Sequence, residues 1–337
     1  MKKYNLVLDL PHTFYEDCRF NKYFGWFEAR AHIRKTAHTS SEEFRPDLEW
    51  ADAVIMWTFP EFSRDDLRNA SHLKYIGKIN STRATVEAAH EAGIQLSDMR
   101  SCYSEAVAEL ILAHILNVYR MLDRHITSMK SGKETWVTRT PLDIDSRERT
   151  LKGARVGLVG FGGIGRNLAR FLAPFSCDIR ASDPYVPAEV MADYGISPGS
   201  LEDVFAQSDI VVVCAANNTG TEKLVSRKLI DSLKPDSLFI NCSRAFLLDN
   251  KALLERIRME DIDVCLDVFE TEPLPKDDPL RSFNRVYLTP HRGGGLLSSY
   301  LEIFDRFIID LEGVMERGEQ ARWPVLLGEI HSLRDYK

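Results

Sequence analysis

The sequence predicts an α/β protein built on a doubly wound parallel sheet, accompanied by a second, smaller α/β domain. Three observations carry that prediction. The chain has 337 residues, beyond the span of one typical domain. From residue 154 onward, near-continuous apolar runs alternate with helical segments. A glycine-rich strand-to-helix turn, "VGLVGFGGIGRNLARFL" at 156–172, falls in the middle of the chain, and the residues before it are too rich in apolar segments to be a tail. A folded unit therefore comes first.

In the first hundred residues, "YNLVLDL" (4–10), "AVIMW" (53–57), "LKYIGKI" (73–79) and "GIQL" (93–96) read as strands. Helix-like segments at 61–70 and 84–92 separate them, which makes a small parallel α/β unit. "SEAVAELILAHILNVYRML" (104–122) carries apolar residues at helical spacing. The polar stretch 123–150, with Gly132 and Pro141, reads as a surface loop or an oligomerisation arm. Then come a strand "RVGLVG" (155–160), a helix 163–173, and strands "CDIRASD" (177–183), "IVVVCA" (210–215) and "SLFINCS" (237–243). A helix 249–258, strands "VCLDVF" (264–269) and "VYLTP" (286–290), and an amphipathic helix 296–318 complete the pattern. Parallel strands buried on both faces are expected to be apolar throughout, as these are.

Composition narrows the function. With 43 basic against 50 acidic residues the formal charge is -7, which argues against a broad surface for nucleic acid or anionic lipid. No segment has the roughly 18 uninterrupted apolar residues of a membrane span. The opening apolar run is cut by Asp9 and Pro11 before it reaches the length of a secretory segment. Cys18, Cys102, Cys177, Cys214, Cys242 and Cys265 are scattered, without zinc spacing, and read as reduced core residues of a cytoplasmic protein with no metal site. A small-molecule partner is expected.

"GFGGIG" places Gly160, Gly162 and Gly165 in a GxGxxG pattern between an apolar strand and a helix. The first glycine permits the tight turn, the second lets backbone amides approach a pyrophosphate, and the third lets helix and strand pack closely. Asp183 ends the next strand, where an acid accepts hydrogen bonds from the ribose hydroxyls of NAD and repels the extra phosphate of NADP.

Three more residues stand just beyond apolar strands: Arg244 after "LFINCS", Glu272 after "LDVFET" and His291 after "VYLTP". Reduction of a ketone by hydride transfer needs a proton for the developing alkoxide, and histidine titrates in the range for that task. A carboxylate on the far imidazole nitrogen orients the ring, and an arginine fork holds a 2-oxo acid and polarises its carbonyl. Singly, each residue also has a plain reading: Arg244 pairing with Asp249, Glu272 preceding a turn, His291 lying on the surface. Together, after a dinucleotide turn, they favour chemistry.

The order and spacing of "LKYIG", "VAELILAHIL", "LKGARVGLVGFGGIGRNLARFL", "LFINCSRAFLLDNKALLERI", "LDVFETEPLP" and "LTPHRGGG", from about Leu73 to Gly295, resemble the D-isomer-specific 2-hydroxyacid dehydrogenase family. The resemblance implies a Rossmann-type NAD-binding domain at 99–295, inserted into a flavodoxin-like substrate domain made of 1–98 and 296–337. It also implies a homodimer, with 123–150 contributing an arm. Arg244 would bind substrate, Glu272 would orient His291, and His291 would be the acid/base. The cofactor would meet Gly160, Gly162, Gly163, Ile164, Gly165, Asp183, Cys214, Ala215, Thr221, Cys242, Ser243, Asp267, His291 and Gly293. The substrate would meet Lys78, Ile79, Asn80, Ser81, Arg244 and His291.

Departures fall on the substrate side. The family's GxGxDN-like loop, whose amides receive the substrate carboxylate, corresponds to "KINSTR" (78–83). Arg100 and Tyr103 stand where proline and asparagine are frequent, and Ala216 where proline is frequent. Lys78, Arg100 and Arg292 either add positive charge for a second anionic group of the substrate, or, for the first two, point to solvent. Trp57 and Phe59 either line the pocket or belong to the small domain's core. The expected function is NAD-dependent interconversion of a 2-oxo acid and a D-2-hydroxy acid. The alternatives are an NAD(H)-sensing scaffold on the same fold, or a dehydrogenase of a small inorganic acid.

Overall fold

The structure, a computed structural model, describes residues 3–57, 60–136 and 145–327. The chain forms two compact units: one combines the residues up to Cys102 with those from Leu296 onward, and the other runs continuously over Tyr103–Gly295.

The first unit opens with β1 (Tyr4–Asp9), α1 (His12–Glu16), α2 (Asn21–Arg30), β2 (Ala31–Thr36) and α3 (Ser41–Trp50). It continues with β3 (Ala53–Met56), α4 (Arg64–Arg68), β4 (Tyr75–Lys78), α5 (Arg83–Glu91) and β5 (Gln95–Asp98). All five strands are parallel, in the order β2-β1-β3-β4-β5, which is the flavodoxin order. Hydroxyl caps start the helices: Ser40, Ser63 and Thr82 accept amide bonds from Glu43, Asp66 and Thr85. Phe44, Leu48, Val54, Ile76, Val86 and Leu96 form one core cluster.

The second unit starts with α6 (Ser104–Tyr119) and α7 (Leu122–Ser131), followed by β6 (Arg155–Val159), α8 (Gly163–Leu172), β7 (Asp178–Ser182) and α9 (Ala188–Ala192). Then come β8 (Ser197–Pro198), α10 (Leu201–Gln207), β9 (Ile210–Val213), α11 (Arg227–Asp231), β10 (Leu238–Asn241), α12 (Asn250–Ile257), β11 (Asp263–Leu266) and β12 (Val286–Leu288). The order β12-β11-β10-β9-β6-β7-β8 reverses direction between β6 and β9, so the loops after those strands flank the switch point where such sheets hold ligands. Side chains alternate between faces: Ile210 and Val212 of β9 join one core cluster, and Val211 and Val213 join the other.

The last helix, α13 (Leu297–Leu311), returns to the first unit. Phe304 packs against Phe14, Phe20, Tyr23 and Phe24 with ring centroids 5.0–6.0 Å apart. The buried carboxylate of Asp310 accepts bonds from the Tyr75 hydroxyl (3.0 Å), the Ser97 hydroxyl (2.6 Å) and the Arg322 amide (2.7 Å). These contacts tie the return helix to β4 and β5.

Several elements differ from the sequence reading. The elements α2, β2 and α3 stand where it places none. The expected helix 104–122 breaks at Met121, whose φ is +49°, and α7 takes up 122–131, so that part of the polar stretch is helical and not a loop. Residues 137–144 of the same stretch lie outside the described residues. The helix expected over 296–318 is α-helical only to Leu311 and continues as a π-turn over Glu312–Arg317. Trp57 packs against Phe14 and Tyr300, with centroids at 4.7 and 5.8 Å, while Phe59 lies outside the described residues.

Candidate active site

The turn from β6 into α8 is shaped by glycines. Gly160 has φ +94°, and a Cβ there would stand 2.8 Å from the Ala215 Cα. A Cβ on Gly165 would stand 2.9 Å from the Gly160 carbonyl oxygen. Gly162 differs: a Cβ there would meet nothing within 4 Å, and no side chain caps the helix that follows. An open space at an uncapped helix N-terminus suits a pyrophosphate. Ile164 packs partly buried against the core behind the turn.

Asp183 is half-buried just beyond β7, with one carboxylate oxygen accepting from the Phe161 amide (2.8 Å) and the other from the Tyr185 amide (2.9 Å). Each oxygen keeps acceptor capacity for a hydroxyl. Cys214 and Ala215 follow β9; burial pushes the Cys214 thiol up to about 12 and raises Cys242 as well, so both stay protonated. The Thr221 hydroxyl lies between the carbonyls of Ala216 (2.7 Å) and Asn218 (2.8 Å), and the Ser243 hydroxyl donates to the Val213 carbonyl (2.9 Å). The enclosed carboxylate of Asp267 accepts from the Thr289 hydroxyl (2.6 Å) and from the amides of Arg292 and Gly293 (2.8 Å each). It thereby shapes the loop that carries His291.

His291 holds a left-handed backbone, φ +52°, and its amide faces the carbonyls of Asp267 (2.9 Å) and Thr289 (3.0 Å). Its Nδ1 lies 2.6 Å from Glu272 Oε2, and Glu272 Oε1 accepts from the Phe269 amide at 2.9 Å. The ring is 44% exposed, and Nε2 has no hydrogen-bond partner among the described residues. Burial acts to raise the Glu272 carboxyl, but the bonds from His291 and Phe269 and the charges of His291 and Arg244 outweigh it and hold it below the usual range. Glu272 is therefore a carboxylate at neutral pH. Arg244 is exposed, with one guanidinium nitrogen donating to the Ser243 carbonyl at 2.7 Å, and its charge reaches Glu272. A cavity of about 580 Å³ beside the pair is lined by Phe269, Glu272, Leu274, Thr289 and His291, among others.

The sequence reading named Tyr103 only as a departure and missed Ser104 and His114, and all three support these loops. A Cβ on Gly163 would meet Ser104 Oγ at 2.7 Å, and one on Gly294 would meet the Tyr103 ring at 2.9 Å, so the start of α6 abuts both the glycine turn and the histidine loop. His114, inside the apolar run of α6, lies with Nε2 3.4 Å from Thr289 Oγ1; burial lowers its pKa against the pull of Asp267. A histidine in an otherwise apolar helical run was the one signal available.

In the expected substrate loop of the first unit, one alternative for Lys78 is corrected by its burial. Lys78 does not point to solvent: it is fully buried, 2.9 Å from Glu61 Oε2 and 2.8 Å from the Pro60 carbonyl. Ile79 is buried, and its amide goes to the Trp57 carbonyl at 3.0 Å. The amides of Asn80 and Ser81 go to Asp98, at 3.3 and 2.6 Å. The Lys78 ammonium and the amides of residues 79, 80 and 81 thus all have acceptors within the protein. Arg100 is partly exposed, its Nε 4.0 Å from Asp98 Oδ1, and Arg292 is exposed.

Comparison with known proteins places this geometry in a family. A family model described as D-isomer specific 2-hydroxyacid dehydrogenase, NAD binding domain, matches residues 112–293. A D-3-phosphoglycerate dehydrogenase of Methanocaldococcus jannaschii is 30% identical over 258 residues, 75% of this chain but only 48% of that protein. A hydroxypyruvate reductase of Thermotoga maritima is 28% identical over 262 residues, 76% of this chain and 82% of the relative. Among solved structures, a phosphoglycerate oxidoreductase from Rhizobium etli superposes with a TM-score of 0.80 at 24% identity, covering 96% of this chain and 98% of that one. The D-mandelate dehydrogenase of Rhodotorula graminis gives 0.77 at 21% identity over 96% and 98%. With its NAD-binding fold matched across the glycine turn and the three strand-end residues, the chain belongs to the D-isomer-specific 2-hydroxyacid dehydrogenases.

Proposed function

We propose that the protein interconverts a 2-oxo acid and a D-2-hydroxy acid, with His291 as the acid/base. The observation that carries this reading is the 2.6 Å contact between Glu272 and His291 Nδ1, on an exposed ring whose Nε2 has no partner among the described residues. NAD, when bound, supplies the hydride acceptor or donor. Nε2 delivers a proton to the substrate oxygen in reduction and removes it in oxidation, while the Glu272 carboxylate stabilises the imidazolium formed in between. Arg244 holds the carboxylate of the acid and polarises its carbonyl. Asp183 takes the ribose hydroxyls, and Ser104, beside Gly163, adds a hydroxyl at the pyrophosphate end. The first unit serves as the substrate domain.

The test is NADH consumption across small, branched, aryl, phosphorylated and dicarboxylic 2-oxo acids. His291→Ala is expected to cut turnover by about 10²–10⁴-fold with NADH affinity nearly unchanged, and Arg244→Ala to raise KM for the oxo acid. Full activity in both variants sinks the assignment. Tight NADH binding with no turnover on any acid shifts the reading to an NAD(H)-sensing scaffold.

The same reading includes a homodimer. Leu122, Ile126 and Met129 line one side of α7 at 45, 52 and 53% exposure, and the helix buries no residue of its own. A second copy would cover that face, with the mass in solution as the check.

A further inference from the structure

Tyr103 at the N-cap of α6, Val107 and His114 stand at i, i+4 and i+11, on one stripe of the helix. That stripe supports the loop from Thr289 to Gly294. A Cβ on Gly294 would stand 2.9 Å from the Tyr103 ring, a Cβ on Gly293 would stand 3.2 Å from Val107 Cγ2, and His114 Nε2 lies 3.4 Å from Thr289 Oγ1. The loop carries His291 at φ +52°, a conformation that is unfavourable for a residue with a side chain and persists only where the surroundings hold it. Asp267 holds it, through the Thr289 hydroxyl and the amides of Arg292 and Gly293.

The direction of the bonds follows from the chemistry of the three groups. A carboxylate only accepts, so the single hydroxyl proton of Thr289 goes to Asp267 Oδ1, 2.6 Å away. The Thr289 oxygen therefore meets His114 as an acceptor, and Nε2 is the ring nitrogen that carries the proton. The ring is 7% exposed, and burial lowers its pKa against the pull of Asp267, so it is neutral at pH 7. An apolar side chain would suit so enclosed a place in an apolar helix better than an imidazole. What the imidazole adds is a donor.

We propose that His114 is a positioning residue for His291: donating from Nε2, it fixes the Thr289 hydroxyl on Asp267, and Asp267 in turn holds the loop that presents the His291 ring. The kinetic part rests on the reading of His291 as the acid/base. Leucine at 114 removes the donor and keeps the helix and its packing. Glutamine at 114 brings an NH₂ close to the place of Nε2 and restores the donor without a ring.

The first experiment is nitrogen-15 NMR of the imidazole rings in the labelled protein at pH 7. His114 is expected as the neutral tautomer with the proton on Nε2, and the His291 signals are expected to move in His114→Leu and to return in His114→Gln. A proton on Nδ1 of His114, or His291 signals that leucine leaves in place, overturns the proposal. The second is steady-state kinetics on the best oxo acid, where His114→Leu is expected to lower kcat about fivefold, the scale of one neutral hydrogen bond, with NADH affinity and Tm nearly unchanged. His114→Gln should recover most of that loss, and on a Thr289→Val background His114→Leu should cost nothing further. Equal losses in the leucine and glutamine variants, or a loss that adds to that of Thr289→Val, overturn the role. The spectra need no turnover, so they decide the chain of bonds even where the dehydrogenase reading fails.

Discussion

Two strand-to-helix turns at the carboxyl edges of parallel sheets solve the same problem in opposite ways. The β6–α8 turn uses glycines, leaves open space beside Gly162 and puts no side-chain cap on its helix. The β4–α5 turn has no glycine between Lys78 and Arg83, and satisfies its donors with Asp98 and Glu61. Both conformations need a residue at positive φ, Gly160 in one and Asn80 in the other. The difference lies in who supplies the acceptors. In the glycine turn Asp183 takes the Phe161 amide but no side chain caps the helix that follows, which suits a ligand, whereas the other turn recruits carboxylates for its amides and caps its helix with Thr82. Lys78 belongs to the second kind, because Glu61 binds its ammonium together with the hydroxyls of Thr82 (2.7 Å) and Thr85 (2.6 Å).

The largest expected effect comes from opening the closed turn. Lys78→Met leaves the Glu61 carboxylate buried without its counter-charge, and a loss of about 3 kcal/mol is expected in denaturant unfolding. Unchanged stability would show that the pair is dispensable to the turn. Closing the open turn is next: a Cβ at Gly162 meets no atom within 4 Å, so Gly162→Ala should leave Tm nearly unchanged and weaken NADH binding by about tenfold, roughly 1.4 kcal/mol, by titration. Undiminished affinity would mean that the space beside Gly162 is not used.

The smallest effect is in acid. Burial alone would raise the Glu61 carboxyl, but the Lys78 charge and the bonds from Thr85, Thr82 and Lys78 hold it below the usual range. A carboxyl whose folded pKa is depressed contributes stability that is complete above its unfolded value, about 4.3, and is lost as pH falls through the folded value. The Lys78→Met, Glu61→Gln double variant should recover most of the stability lost by Lys78→Met alone and show a flatter fall of Tm below pH 5. An acid limb identical to that of the wild type would count against the pair.

The contrast between the turns also explains what was legible in the sequence. The central strands of the second unit stand out because they are buried on both faces; all four residues of β9, of β10 and of β11 are buried. Arg244 and Glu272 are legible for the same reason, as polar residues beyond such runs, and His291 follows the partly buried apolar run of β12. By contrast, β2 pairs with β1 alone at the sheet edge and reads "AHIRKT", with only Ala31 fully buried, so no apolar run marks it. The helix α3 holds Pro46 and α2 holds Gly25, both of which read as breaks. The 78–82 turn was opaque because its character comes from Glu61 and Asp98, some 17 to 21 residues away in the chain. Local pattern cannot show which distant carboxylate will answer an amide.

The close approaches of Ser104 to Gly163 and of Tyr103 to Gly294 carry a consequence for the history of the chain. Beside Gly163 the Ser104 hydroxyl can turn away, but beside Gly294 the Tyr103 ring itself stands in the place of a Cβ, so Gly294 cannot change while Tyr103 keeps its size and position. Among descendants of this sequence, a shorter side chain at 103 should come before, or together with, any residue other than glycine at 294. The order of those substitutions is written into the packing at the start of α6.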